Sequence, residues 1–337
     1  MDSSIMNALS IGVLMNGKNY IEHFGELVPG SGIKPTNETI YEIASVSKTF
    51  TGTLAAKAVL EGRLTLEDDI RLYLNGDYAN LAYRNNPIQI QHLLTHTSGL
   101  PSNNKGFESL PSGLDFTEMA KLVNEIEKRQ TKGMFFQYLS EVSIDTLPGI
   151  RFNYSNYGAN LMAAILENVY DVPFQELVEK EIIDKADMIS TSFHLSERDK
   201  KRLAPGYNER DEKMHHLSLA STLWGAEGAI KSTLPDMLKY ARFQLDMQNK
   251  MAVESHKKIK ELDTNYWVGY FWWIIGEDGK NLHFRHDGGA AGTRGVLLLY
   301  PESEIGIYAV TNVVGEKIFD DLSRLSKGVF RSLNKKN

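Results

Sequence analysis

The sequence predicts an α/β protein of the α+β type: an antiparallel sheet built from both chain ends, flanked by helices, enclosing a mainly helical insertion. Three observations predict it. The chain opens on a β-hairpin, closes on a β-rich region, and between them reads as helices. The two strand regions must pair with each other, because an isolated hairpin is marginal in water.

The hairpin comes first. Ser10 to Leu14 and Tyr20 to His23 are short β-type runs around Asn16-Gly17, and that dipeptide between apolar runs is the strongest local hairpin signal. Helical stretches follow at Ser47 to Glu61 (stopped by Gly62), Phe116 to Lys128, Asn156 to Tyr170, Phe174 to Ile182 and Leu234 to Met247. The closing β region comprises Tyr266 to Ile275, a turn at Asp278-Gly279, Leu282 to Arg285, Gly295 to Tyr300, a turn at Pro301 to Glu304, and Ile305 to Thr311. Lys317 to Leu333 is a last helix, placed to cover the sheet. These boundaries predict a sheet domain of residues 1–46 and 262–337 and a mainly helical domain of residues 47–261, with the active site in the groove between them.

At 337 residues, with 42% hydrophobic and 24% charged, the chain buries a sizeable core without staples. Its net charge of -6 comes from mixed signs, so no basic stripe is available for nucleic acid. The run Glu197 to Arg202 and the pair Lys335-Lys336 read as solvated surface. Cysteine is absent, which excludes disulfides, thiolate metal sites and thiol nucleophiles. The most apolar stretch, Tyr270 to Ile275, is too short to cross a bilayer, and no charged-then-apolar signal segment opens the chain.

Hydroxyl nucleophiles remain. Ser45-Val46-Ser47-Lys48 begins an apolar helical run, and residues three apart on a helical turn share a face. A serine hydroxyl needs a neighbouring base. Lysine serves when burial disfavours its ammonium form, which the apolar flank here permits. S-x-x-K alone is common as a helix cap with an exposed lysine, so the weight comes from two further segments. Tyr154-Ser155-Asn156 follows Pro148-Gly149 and enters a nearly all-apolar helix; a phenol there relays protons and an amide binds a substrate carboxamide. His286-Asp287-Gly288-Gly289 ends a predicted strand, where glycines let a substrate lie against the backbone. The N-H groups of Gly289 and Ser45 would then face each other across a carbonyl as an oxyanion hole.

Other constellations are weaker. His92 and His96 are four apart on an expected helix but lack the glutamate of H-E-x-x-H, and the adjacent rings of His215-His216 diverge. No metal site and no cofactor is expected. Gly288-Gly289 with Gly292 and Gly295 is followed by β-type residues, so it is no dinucleotide loop. G-x-S-x-G is absent, which excludes the nucleophile elbow of α/β-hydrolases.

Together the three segments resemble the S-x-x-K, Y-x-N and third-strand motifs of the β-lactamase-related serine hydrolases. That group includes class C β-lactamases, D-alanyl-D-alanine peptidases, D-aminopeptidases and family VIII esterases. His96 to Pro101, Pro148 to Gly158 and Gly228 to Met237 extend the resemblance over nearly the whole chain.

The resemblance implies a β-lactamase/transpeptidase-like fold with Ser45 as nucleophile, Lys48 and Tyr154 as the acid/base pair, and Asn156 orienting the substrate. It leaves open which of Lys48 and Tyr154 takes the serine proton. His286 stands where β-lactamases carry lysine, and Asp287 where carboxylate-binding relatives keep threonine. An anion there predicts repulsion of a substrate carboxylate by on the order of 1 to 4 kcal/mol at about 4 Å, offset by His286 when protonated or by a neighbouring Arg294. The expected substrates are small esters or D-amino acid amides and peptides, with β-lactams and D-alanyl-D-alanine peptides as alternatives. A non-turnover penicillin-binding sensor or scaffold is the reading from another class, against which the intact Ser45, Lys48 and Tyr154 argue. Relatives carry a leader and a longer helix before the first strand, whereas this hairpin starts within ten residues. The resemblance therefore implies export to the periplasm or cell surface, with a trimmed front.

Overall fold

Eight strands from the two ends of the chain form one antiparallel sheet. In the computed structural model, which describes residues 6–214, 223–277 and 280–334, they are β1 (Ala8–Met15), β2 (Lys18–Gly25), β3 (Lys260–Asp263), β4 (Tyr266–Gly269), β5 (Trp272–Glu277), β6 (Lys280–Ala290), β7 (Thr293–Tyr300) and β8 (Ile305–Thr311). Their spatial order is β2-β1-β8-β7-β6-β5-β4-β3. The Asp278-Gly279 turn, the His215-His216 pair and Lys335-Lys336 lie outside the described residues.

The opening hairpin forms as predicted. Asn16 and Gly17 take φ of 50° and 70°, the pair of positive values that matches the right-handed twist of flanking strands. β1 then joins the two chain ends, pairing with β8 from Leu9↔Thr311 to Leu14↔Gly306. Side chains alternate faces along each strand. Ile11, Val296, Leu298, Ile305 and Ile307 pack on one face, while Leu14, Leu297, Leu299, Tyr308 and Val310 join the larger core on the other. Burial on both faces explains why β7 and β8 read as nearly continuous apolar runs.

The main helices are α1 (Ser47–Leu60), α2 (Phe116–Arg129), α3 (Asn156–Tyr170), α4 (Leu234–Leu245) and α5 (Ile318–Asn334). α5 covers the outer face with Ile318, Leu322 and Phe330, which recur at the spacing of one helical stripe. Leu234, Leu238 and Ala241 of α4 pack into the inner core. α1 is buried almost throughout, from Ser47 to Ala58. No helix among the described residues is long and apolar enough to cross a membrane.

Two expected elements differ. Tyr266 to Ile275 is not one strand: β4 and β5 are joined by a tight turn in which Tyr270 and Phe271 have φ of 50° and 68°. Such backbone costs roughly 1–2 kcal/mol per side-chain-bearing residue, and tertiary contacts hold it. Tyr270 Oη donates to Glu254 Oε1 at 2.9 Å and Phe271 N to the Leu94 carbonyl at 2.8 Å. Gly52 of α1 lies so close beneath that a Cβ there would sit 1.9 Å from the Tyr270 carbonyl oxygen. The second difference is at Phe174 to Ile182, where an α-helix over Phe174–Val178 widens into a π-turn over Glu179–Ile183.

Candidate active site

The short antiparallel pair Ile40–Glu42 with Lys231–Thr233 sets the position of Ser45. Past it, Ile43 N donates to the Ile230 carbonyl at 3.1 Å, and the chain turns sharply through Ala44, at φ 48°, into the 3-10 turn Ala44–Val46 that leads into α1. Ser45 is left half-buried at the mouth of a cavity of about 500 Å³. Lys48, one helical turn on, is fully buried. Its Nζ donates to Ser45 Oγ at 3.1 Å and to the Glu227 carbonyl at 2.5 Å. That ammonium also lies 4.9 Å from the centre of the Tyr154 ring.

Tyr154 is held by the turn into α3. Ser155 caps the helix, its Oγ accepting from Gly158 N at 2.8 Å and donating to the Pro101 carbonyl at 2.5 Å. Ser155 N donates to Nδ1 of His96 at 3.1 Å, so that imidazole carries its proton on Nε2. The His96 ring lies 4.4 Å from the Tyr154 ring. Burial holds His96 well below the usual histidine range, helped by Lys48 and His286. His96 does not share a helix with His92, contrary to expectation. The helix ends at Leu94, His96 follows with φ 56°, and His92 caps its own helix by accepting from Gln89 N at 3.0 Å.

Asn156 is turned toward the 101–103 loop. Its Nδ2 donates to Asn103 Oδ1 at 2.7 Å and its backbone N to the Ser102 carbonyl at 2.8 Å.

The third motif runs along β6. β5 pairs with β6 from Arg285 outward, whereas from His286 to Ala290 the strand is paired with β7 alone. The other edge of that segment meets the Ser45 turn, since a Cβ on Gly288 would sit 2.1 Å from the Ile43 carbonyl oxygen. Only a glycine allows this approach. His286 is 1% exposed, donates from Nδ1 to the Asp287 carbonyl at 2.9 Å, and buries an Nε2 that has no hydrogen-bond partner among the described residues. Burial, with Lys48 adding to it, pushes its pKa down to about 3.

Two expectations about charge are therefore corrected. His286 is neutral at ordinary pH and offsets nothing. Asp287 is neutralised by Arg285, through Nε to Oδ1 at 2.8 Å and Nη2 to Oδ2 at 2.6 Å, not by Arg294. Arg294 instead donates to the Ala290 and Thr293 carbonyls and stacks its guanidinium 5.2 Å from the Phe319 ring.

Ser45, Tyr154, His286, Asp287 and Gly289 all line the cavity, and Met119, Val123, Trp273 and Phe319 give it apolar walls. Sequence reading missed those walls and also Glu227. Met119 and Val123 are four apart on α2 and so share a face, but nothing local says which surface that face meets. Among the described residues no group of three or more His, Asp or Glu side chains is arranged to hold a metal.

The buried imidazoles carry a pH consequence. His286 and His256 are held at about 3 by burial, His256 stacked 3.9 Å from Phe284. Their unfolded values lie near 6.5. Protons therefore bind only the unfolded chain as pH falls from about 6.5 toward 3, and each ring lowers stability by up to about 1.4 kcal/mol per pH unit in that window. Denaturant midpoints are expected to fall steadily below pH 6.5; a flat profile down to pH 4 would contradict the assignment.

A family model described as Beta-lactamase matches residues 2–327. A Beta-lactamase from Providencia stuartii is 27% identical over 262 residues, 77% of this chain and 61% of that protein. Protein flp from Staphylococcus aureus (strain MRSA252) is 27% identical over 318 residues, 92% and 60% respectively. The chain thus spans about 60% of the length of these curated relatives. Among solved structures, the Beta-lactamase/D-alanine Carboxypeptidase from Yersinia pestis complexed with citrate superposes with a TM-score of 0.78 at 22% identity, covering 97% of this chain and 93% of its own. The octameric penicillin-binding protein homologue from Pyrococcus abyssi gives 0.80 at 23% identity, with 100% and 75% covered. At these identities the likeness shows the fold, which is β-lactamase/transpeptidase-like.

Proposed function

Because the chain belongs to the beta-lactamase family, we propose that it is a serine hydrolase working through an acyl-enzyme on Ser45. The contact of the fully buried Lys48 Nζ with Ser45 Oγ at 3.1 Å carries this reading. In the proposed cycle Ser45 Oγ attacks a substrate carbonyl carbon, and its proton passes to Lys48 or Tyr154. The backbone N-H groups of Ser45 and Gly289 hold the oxyanion. The leaving alcohol or amine departs with that proton, water then attacks the acyl carbon, and the proton transfers run in reverse. Asn156, His286, Asp287 and Gly288 are the proposed substrate contacts. The cycle uses neither metal nor cofactor, since Ser45, Lys48 and Tyr154 carry its proton transfers. Organisation into a sheet unit of residues 1–46 and 262–337 and a helical unit of residues 47–261, with the cavity between them, is part of the proposal.

Small neutral esters and D-amino acid amides or peptides are the proposed substrates. A neutral imidazole at His286 supplies no cation for a substrate carboxylate, and Met119, Val123 and Trp273 favour an apolar group. The Arg285 partner of Asp287 favours a second reading, β-lactamase or D-alanyl-D-alanine carboxypeptidase, because it removes most of the repulsion an unpaired Asp287 would exert.

The test is a panel of p-nitrophenyl esters, D-amino acid anilides, D-alanyl-D-alanine peptides and a chromogenic cephalosporin, with phosphonate adducts mapped by mass spectrometry. The adduct is expected on Ser45, and neutral substrates are expected to turn over faster than anionic ones. Asp287→Thr frees Arg285 and is expected to improve the anionic substrates selectively. An adduct on Ser47, Ser98 or Ser155 would refute the nucleophile; efficient cephalosporin turnover by the unmodified protein would move the reading to the alternative.

A further inference from the structure

β6 orders the cavity along its length. Trp273 lies opposite Arg285 in the β5–β6 pairing, so it stands at the Asp287 end. The His96 ring joins it to Tyr154, 6.5 Å from the Trp273 ring and 4.4 Å from the Tyr154 ring. Gly288 meets the Ser45 turn at the middle. The strand then runs through Gly289 to Ala290, about 7 Å past Gly288 at the rise of an extended chain, and turns tightly into β7.

This far end is apolar and roofed. A Cβ on Gly289 would sit 3.0 Å from Phe319 Cζ, so that ring stands directly beside the residue proposed to hold the oxyanion. Ala120 of α2, Met214 and Ala291 form one buried apolar cluster with Val314, which ties α2 across the groove to the β6–β7 turn. Met214 is fixed there: its N donates to the Gly206 carbonyl at 2.8 Å, and a Cβ on Gly206 would sit 2.2 Å from Gly292 Cα in that turn. Thr117 Oγ1, at the start of α2, donates to Met214 Sδ at 3.3 Å. Met119 and Val123, one helical turn apart, line the cavity from the roof. Arg294 turns Nη1 to the Ala290 and Thr293 carbonyls at 2.5 and 3.0 Å. Among the described residues no carboxylate lines this end.

A general acid must stand beside the group that leaves. Tyr154 is at the Trp273 end, which assigns that end to the departing alcohol or amine and the roofed end to the acyl group. We propose that the roofed end is an acyl pocket for an unbranched apolar chain, with Met119, Met214 and Phe319 setting the length it accepts. This rests on the serine hydrolase reading and names the acyl side of its substrates. Half of the cavity's volume of about 500 Å³ holds on the order of eight heavy atoms at roughly 30 Å³ each. Acyl groups of about six to eight carbons therefore fill it.

The measurement is kcat/KM for p-nitrophenyl esters of straight-chain acids from acetyl to dodecanoyl. Each methylene is expected to raise it about fourfold until the pocket is full, and longer chains should fall off. Met119→Ala should move the optimum toward longer chains by about three carbons, the atoms it removes. Met119→Trp should move it toward acetyl. Trp273→Ala should change the dependence on the leaving group and keep the acyl optimum where it was.

An optimum at acetyl, changes equal at every chain length, or an optimum that moves with Trp273→Ala would overturn the proposal. So would a glutaric monoester cleaved faster than the pentanoyl ester, since Arg294 would then be receiving an anion. Should Met119→Trp fail to fold by thermal melting, Met119→Ala decides alone. Where ester turnover is too slow to read, rates of Ser45 labelling by fluorophosphonates with the same alkyl series decide by the same outcomes. No label on Ser45 from any of them would remove the serine reading itself, whereas labelling indifferent to chain length removes only the acyl pocket.

Discussion

Ser45→Ala is expected to lower turnover of every accepted substrate by roughly 10³-fold or more, the scale seen when a covalent route disappears with its nucleophile. The fold should survive. Ser45 is half-buried at the cavity mouth, its hydroxyl is bonded to Lys48, and Lys48 keeps its bond to the Glu227 carbonyl when that hydroxyl is gone. The alanine variant should therefore melt within a few degrees of the original and lose the phosphonate adduct. Steady-state kinetics and intact mass together check it. Undiminished turnover with an alanine at 45 would place the nucleophile elsewhere.

Lys48→Ala and Tyr154→Phe are each expected to lower kcat by roughly 10²-fold or more, the usual contribution of a positioned acid or base. Their combination should cost much less than the product of the two. The Lys48 ammonium lies 4.9 Å from the Tyr154 ring centre, and that ring packs at a tilt against His96, so either substitution disrupts the same proton inventory. A double-mutant cycle measures the coupling. Losses that multiply cleanly would show two independent contributions, and the acid/base pairing would have to be abandoned. Lys48→Ala also leaves the Glu227 carbonyl without its buried donor, so thermal melts must accompany the kinetics.

Local signals made much of this legible in the sequence. Asn16-Gly17 specifies its turn by backbone preference alone, and α3 keeps its predicted bounds from Asn156 to Tyr170, with Ser155 capping its start. Ser45 and Lys48 meet because three residues on a helical turn bring side chains together whatever else surrounds them. What stayed hidden depends on partners distant in sequence. The turn at Tyr270-Phe271 has no Gly or Asn at its two central positions, only Gly269 before them, and is held by Glu254, Leu94 and Gly52. Asp287 meets Arg285, two residues back on one side of a strand, a pairing visible only once β6 is known to extend through the motif. Glu227 carries no motif at all; its proximity to Lys48 comes from the pairing of Ile40–Glu42 with Lys231–Thr233.

β1 sits inside the sheet, yet its partner β8 is made last: Leu9 lies opposite Thr311. At ordinary translation rates the ribosome needs roughly 15 to 60 s to travel between them. For that interval the nascent hairpin carries Ile11 and Val13 without the neighbouring strand or α5, and Leu14 without the inner core that α4 completes. The nucleophile, Ser45, is therefore present long before the scaffold that aligns it. Productive folding of the sheet therefore waits for β8, slowed by the long loop that must close, and the emerging polypeptide is a natural client for holding chaperones until β8 clears the exit tunnel.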